Sequence, residues 1–315
     1  MKIIKFENKK HKDIWDQFIL QSNNGTIFHL RKFLSYHIDR DFNDCSLMFY
    51  EREKIVAVFT GAIVDETLIS HPGASFGGFV YNDVAFKDFN VIVNLLINFS
   101  SKNNLKEIKI IPPPFIYYKN YNEAMEYCLY SNNFQIEENY ISSFVELYDD
   151  IEKNIHARKR RYIKKNESLI EIKQTKNLDD FFPILIKNKL RHNTKPTHSF
   201  DELQSLINKF PSDIVLLLSY YMNKAIGGSL IFKTNQFSCI LFYNMIDYKY
   251  KDLQVASIQV YKSMLWAKLE GLKYFDIGVS QLYDKNKIIP HESLISFKEK
   301  FGAKAMIRKV LIRKI

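Results

Sequence analysis

Acid, base and phosphate-gripping side chains fall in a few short segments of this sequence. Asp276 stands in Lys-Tyr-Phe-Asp-Ile-Gly-Val-Ser, residues 273–280, two places before Gly278 at what reads as the end of a strand. In α/β folds such ends line the ligand crevice, so Asp276 is a candidate to orient a base or an amine. An aspartate that caps a loop is the equal alternative. His192 and His198 are candidate acid–base groups, because such roles call for a side chain of histidine's type, although surface histidines are commoner. Lys249 and Lys251, in YKYKDLQVASIQ, are candidate phosphate contacts, or two solvated lysines on a loop. The densest charge lies in HARKRRYIKK, residues 156–165. It can follow a phosphate backbone, but Ile155, Tyr162 and Ile163 also fit a plain amphipathic helix with one buried face. In the first half, HPGASFGGFVYN offers His71 and Ser75 beside Gly73, Gly77 and Gly78. Glycines inside a strand pattern mark a bulge or a close backbone approach, to a ligand or to the chain itself.

Bulk properties narrow the field. A chain of 315 residues fits two domains, and a 46% hydrophobic composition supplies two cores. A net charge of +10 favours anionic partners such as nucleic acid, nucleotide sugars or an anionic membrane surface, or reflects lysine-rich solvated faces. Cys45, Cys128 and Cys239 are isolated, with no paired spacing, so neither a disulfide framework nor a structural zinc is expected. No Walker loop or dinucleotide fingerprint is present, and no metal is expected. The first residues lack the apolar core of a signal peptide, and no apolar run approaches 18 residues, so the expected location is the cytoplasm with no integral membrane segment.

The elements that must position these residues follow from periodicity. Helices are expected over residues 11–22, a second through Phe28, Leu30, Phe33 and Leu34, and others over 91–101, 121–130, 152–166, 178–190, 200–210, 254–270 and 292–300. Strands are expected over 45–50, 55–64, 67–70, 108–111, 141–147, 213–221, 225–232, 238–246, 274–277 and 306–314. The order repeats at an offset of about 170 residues: SLMFYEREKIVAVFTGAI parallels VLLLSYYMNKAIGGSLIF, and VIVNLLINFSSKNNLKEIKII parallels IQVYKSMLWAKLEGLKYFDIG. That offset is far longer than a solenoid period and reads as a duplicated domain. The expected class is α/β with mixed sheets, in two domains: 1–150, and 151–315 carrying the active cleft.

Two helices, a strand meander, a long helix and a strand, given twice, resemble the FemABX branch of the GNAT superfamily of N-acyltransferases. The C-terminal segments KYFDIGVS and SFKEKFGAK carry the most specific part of the likeness. The resemblance implies tandem GNAT-like domains and transfer of an acyl or aminoacyl group to an amine. It also implies roles for single residues. Phe297 and Lys298 match the Phe-Lys element of aminoacyl-transferring members, which makes Lys298 the first candidate for catalysis, with Asp276 and His198, and puts Phe297 and Ser280 beside substrate. Arg191 stands where the family grips an acceptor diphosphate, a task its planar fork suits. On the second helix, where the family has a phosphate-binding lysine, this chain has Tyr36 and His37; Tyr36 and His71 are the substrate candidates of the first half. Where acetyl-CoA-dependent members open the long helix with a glycine loop, this chain has Gln254, Ala256, Ser257 and Lys251 as cofactor-binding candidates, without the glycines.

Three functions follow. The first is a GNAT-like N-acyltransferase using acetyl-CoA or another acyl-CoA on an anionic acceptor, an amino sugar or nucleotide-linked sugar of cell-surface polysaccharide biosynthesis. The second is a FemX-like transferase whose donor is aminoacyl-tRNA and whose acceptor is a cell-wall precursor. The third is a non-catalytic basic protein that binds nucleic acid or a membrane surface.

Overall fold

The computed structural model describes residues 1–315 other than Asp39, Asp41, Asp149, His192, Lys285 and Asn286. His192, a candidate acid–base group, therefore lies outside the described residues. The chain divides into two compact units: Met1–Tyr140 with Ile307–Ile315, and Ile141–Met306.

The first unit begins with β1 (Lys2–Lys5), α1 (Asn8–Gln21), α2 (Arg31–Leu34), β2 (Asn43–Asp44), β3 (Leu47–Glu51), β4 (Lys54–Val64) and β5 (Thr67–Ser70). It continues with β6 (Gly78–Tyr81), α3 (Phe86–Lys102), β7 (Glu107–Ile110), α4 (Ala124–Ser131) and the start of β8 (Gln135–Glu146). β3, β4 and β5 form an antiparallel meander, whereas β5 and β7 run parallel with α3 as the crossover. Helix α3 buries Phe89, Ile92, Val93 and Leu96, spaced i, i+3, i+4 and i+7, so one stripe faces the sheet. Those residues join Leu47, Phe49, Phe59, Leu68 and Ile108 in the core.

The second unit contains α5 (Ile151–Asn154), α6 (Ala157–Asn166), β9 (Glu171–Thr175), α7 (Leu178–Arg191), α8 (Phe200–Lys209), β10 (Ile214–Tyr221) and β11 (Lys224–Lys233). It is completed by β12 (Ser238–Ile246), α9 (Val255–Leu269), β13 (Tyr274–Val279), β14 (Gln281–Asp284), β15 (Lys287–Pro290), α10 (Glu292–Glu299) and the start of β16 (Lys304–Lys314). β9 to β12 are successively antiparallel, and β12 and β13 run parallel around α9. Met222 and Asn223 both have positive φ, 47° and 61°, as the tight β10–β11 hairpin requires. Helix α9 is buried on most of its circumference, from Val255 to Ala267, and packs into the core with Phe275 and Ile277.

Each unit thus carries one parallel strand pair bridged by a long helix, which is the pattern the internal repeat implied. β16 ends in the first unit, where Leu311 pairs with Ile110 of β7. The sequence division at 150/151 assigned that strand to the second half; an alternating strand does not announce which sheet it will join. Five strands escaped periodicity: β1, β2, β9, β14 and β15. All are short, two to five residues, and at least partly exposed, so none is long enough to show an alternating pattern. The second helix of the first half reduces to a 3-10 turn, Ile27–His29, and the four residues of α2.

Candidate functional site: the splayed strand pair of the second unit

The parallel ladder between β12 and β13 is short. It runs Ser238 with Tyr274, Cys239 with Phe275, and Ile240 with Asp276, and stops there, while β12 continues to Ile246 and β13 to Val279. Phe242 is the extra residue where the β11–β12 register shifts, so β12 bends just past the last ladder pair. The two strands therefore leave a wedge whose main-chain groups β12 and β13 do not supply to each other. Backbone amides in such a wedge suit an amide-containing ligand or a developing oxyanion.

On the β13 side, Asp276 is fully buried. Its Oδ1 accepts the Gly278 amide at 2.6 Å and the Ser142 hydroxyl at 3.3 Å. Gly278 has φ +78°, and the carboxylate holds this left-handed turn at the β13–β8 bulge. Lys298 of α10 is 3% exposed, and its ammonium donates to the carbonyls of Gly278 at 2.6 Å and Val279 at 3.0 Å. Ser280 is also buried, its hydroxyl without a partner among the described residues, while its amide donates to Ile141 and its carbonyl accepts from His291. Asp276, Lys298 and Ser280 thus converge on one stretch of main chain, residues 278–280.

On the α9 side, Gln254 has φ +59° and gives α9 no side-chain cap. Ser257 stands one turn in, its hydroxyl accepting from Lys159 of α6 at 2.9 Å and lying 3.4 Å from Gln254 Oε1. The Lys159 ammonium sits over the ring of Phe297, 5.0 Å from its centroid, and 5.8 Å from that of Phe301. Burial, and secondarily the Lys300 charge, lower its pKa. The Ala256 carbonyl accepts from Asn244 of β12. Lys251 is exposed and Lys249 belongs to a separate cleft.

That cleft, of about 320 Å³, is lined by Lys187, Asn188 and Arg191 of α7 and by Ile246, Asp247, Tyr248 and Lys249 after β12. The Arg191 guanidinium lies 3.9 Å from the centre of the Tyr248 ring. Lys187 is 3.5 Å from Asp247, and the lining as a whole sets three cations against that one carboxylate. The excess charge suits an anionic, phosphate-bearing group, which Arg191 can grip with two nitrogens. Lys187 was not among the sequence candidates; its i, i+4 spacing to Arg191 is the signal that could have found it. Lys159 carried no such signal, because its partners come from α9 and α10.

His198 lies elsewhere, buried among Phe232, Phe242 and Tyr243. The Tyr243 hydroxyl takes the Thr197 amide at 3.1 Å and lies 3.2 Å from His198 Nδ1, an arrangement that fixes a loop. In the first unit, Tyr36 is buried and linked to His71 through a run of rings, by way of His37 and Phe42. His71 donates from Nδ1 to the Pro72 carbonyl at 2.8 Å, and burial lowers its pKa to about 4.

The first unit's parallel pair is closed at the place where the second unit's opens. Beyond the β5–β7 ladder, the Ile111 amide donates to Ser70 Oγ at 2.8 Å and the Ile111 carbonyl accepts the Gly77 amide at 2.9 Å. A Cβ on Gly77 would lie 2.8 Å from Thr60 Oγ1 and 3.2 Å from the His71 nitrogen. The glycines of HPGASFGG thus admit their own chain. Among the described residues no group of three His, Cys, Asp or Glu could hold a metal ion. Among the described residues, too, no helix is long and apolar enough to cross a membrane.

No family model matches the chain, and no curated protein matches it. Solved structures do. FemX superposes with a TM-score of 0.74 at 12% identity, over 100% of this chain and 98% of that one. L-PGS from Bacillus licheniformis gives 0.59 at 12% identity, over 95% and 90%. A tandem GNAT protein from the clavulanic acid biosynthesis pathway gives 0.55 at 8% identity, over 99% and 98%. Likeness at this identity speaks for the fold, and the chain has a FemX-like, tandem GNAT-type fold.

Proposed function

We propose that this protein is an N-acyltransferase whose working cleft lies in the second unit. The observation that carries the reading is the β12–β13 wedge, open beside the start of α9, whereas the bonds of Ile111 to the Ser70 hydroxyl and the Gly77 amide close its counterpart. The reaction is attack of a neutral amine on an acyl carbonyl. The nitrogen–carbon bond forms, the bond to the donor's sulfur or oxygen breaks, and the amine proton ends on the leaving group or on solvent. Backbone amides of the wedge stabilise the oxyanion. The Arg191 cleft holds the acceptor through its anionic group, an amino sugar or nucleotide-linked precursor of cell-surface polysaccharide. In this reading the protein works in the cytoplasm, and acetyl-CoA or another acyl-CoA is the donor.

A second reading has an aminoacyl-tRNA as donor and a cell-wall precursor as acceptor. It is favoured by the glycine-free turn before α9 and by Lys159, whose ammonium occupies the approach to Ser257 and faces Phe297. Thermal stabilisation separates the two. Ligand at 100-fold its Kd should add about 2.7 kcal/mol. A shift with acetyl-CoA, and none with charged tRNA, supports the first reading. A shift with charged tRNA alone selects the second, and no shift with either removes both.

A further inference from the structure

Helix α6 has two faces with opposite fates. Its inner face is spoken for: Ile163 is buried, Lys159 reaches Ser257, Arg160 donates to the Glu152 carbonyl, and Lys164 lies 3.1 Å from Glu152. Arg158, Arg161, Tyr162 and Lys165 fall within roughly 100° of the helix circumference on the other side. All four are exposed, and among the described residues no carboxylate pairs with the three cations. Arg158 donates to the Tyr162 hydroxyl at 3.2 Å and lies over its ring. Arg158, by that hydrogen bond above all, and then Arg161 and Lys165, lower the Tyr162 pKa. Leu169, four residues past Lys165 at the end of the turn that continues α6, is 49% exposed.

We propose that this face docks the protein on an anionic lipid bilayer. Three unneutralised cations interleaved with an aromatic and an aliphatic side chain form the composition that settles at the headgroup level. The cations meet lipid phosphates, and Tyr162 and Leu169 enter the acyl boundary. A nucleic acid would use the cations and stack on Tyr162, but it gives exposed Leu169 nothing to bury in. The chain's charge of +10 acts in the same direction at longer range. The proposal is independent of the transfer reading, since it concerns a face that holds neither the wedge nor the Arg191 cleft.

The test is flotation of the full chain with vesicles of phosphatidylcholine alone, and of phosphatidylcholine with phosphatidylglycerol at 7:3. Binding is expected to the anionic vesicles only and to weaken with salt. At about tenfold or less per cation, the Arg158→Ala, Arg161→Ala, Lys165→Ala variant should lose roughly 100-fold in partition. The Arg158→Lys, Arg161→Lys variant should retain most of it, and Leu169→Asp should weaken it at unchanged charge on the three cations. Circular dichroism confirms that each variant is folded. Anionic-vesicle binding unchanged in the triple alanine variant overturns the proposal. So does binding of a single-stranded RNA oligonucleotide through this face with none to vesicles, or no binding to either.

Discussion

The ammonium of Lys298 lies 2.6 Å from the carbonyl oxygen of Gly278, two residues past the carboxylate of Asp276 that holds the same glycine by its amide. A lysine and an aspartate drawn from segments 22 residues apart therefore brace opposite polar groups of one left-handed residue at the mouth of the wedge. Replacing Lys298 by alanine removes a charged donor from two part-buried carbonyls, at a cost of roughly 1.5–3 kcal/mol. We expect a clear fall in the urea midpoint of Lys298→Ala, with kcat lost through the displaced 278–280 segment. Wild-type stability combined with abolished turnover would instead make Lys298 a group that acts on the substrate.

In the Arg191 cleft, the stacking of Arg191 on Tyr248 and the neighbouring Lys249 predict a loss of about 1.5–3 kcal/mol in binding a diphosphate-bearing acceptor for Arg191→Ala. Arg191→Lys should recover little, because an ammonium lacks the planar fork. Calorimetric titration with a nucleoside diphosphate sugar measures both. Equal affinity in the wild type and Arg191→Ala would place the acceptor elsewhere.

Closure of the first unit's strand pair predicts that Gly77→Ala is destabilising by about 1–3 kcal/mol, since one of the two atoms it meets is the main-chain nitrogen of His71. Thermal unfolding reads this directly. A neutral substitution would mean that the segment is loosely held, and that the first unit retains room for a ligand.

Two buried histidines set an acid limit. Burial depresses the pKa of His29 to about 3 and that of His71 to about 4, each from 6.5. Between the folded and unfolded values the unfolded chain binds the extra proton. Their contribution to stability is therefore complete above pH 6.5 and is lost as pH falls toward 4, at up to roughly 1.4 kcal/mol per pH unit for each residue. Urea midpoints at pH 7, 6 and 5 should decline, and His71→Asn should flatten the decline. A slope identical to that of the wild type would show that His71 keeps its proton exchange with solvent in the folded state.

The sequence by itself determined the elements whose cause is local. Helix α3 is written in the i, i+3, i+4, i+7 spacing of Phe89, Ile92, Val93 and Leu96, and the β10–β11 hairpin in a turn at Asn223 between two apolar runs. The duplicated order of those elements gave the tandem architecture. Tertiary structure decided what depends on partners distant in the chain. Whether a glycine meets a ligand or a neighbouring strand is set by which strand lies beside it, so Gly77 meets Thr60 while Gly278 is held open by Asp276. Whether a lysine is solvated or buried is set by the elements packed around its helix. The 3.6-residue period places Lys159 and Arg161 on different faces of α6, but only the packing of α9 and α10 makes Lys159 the one that is enclosed.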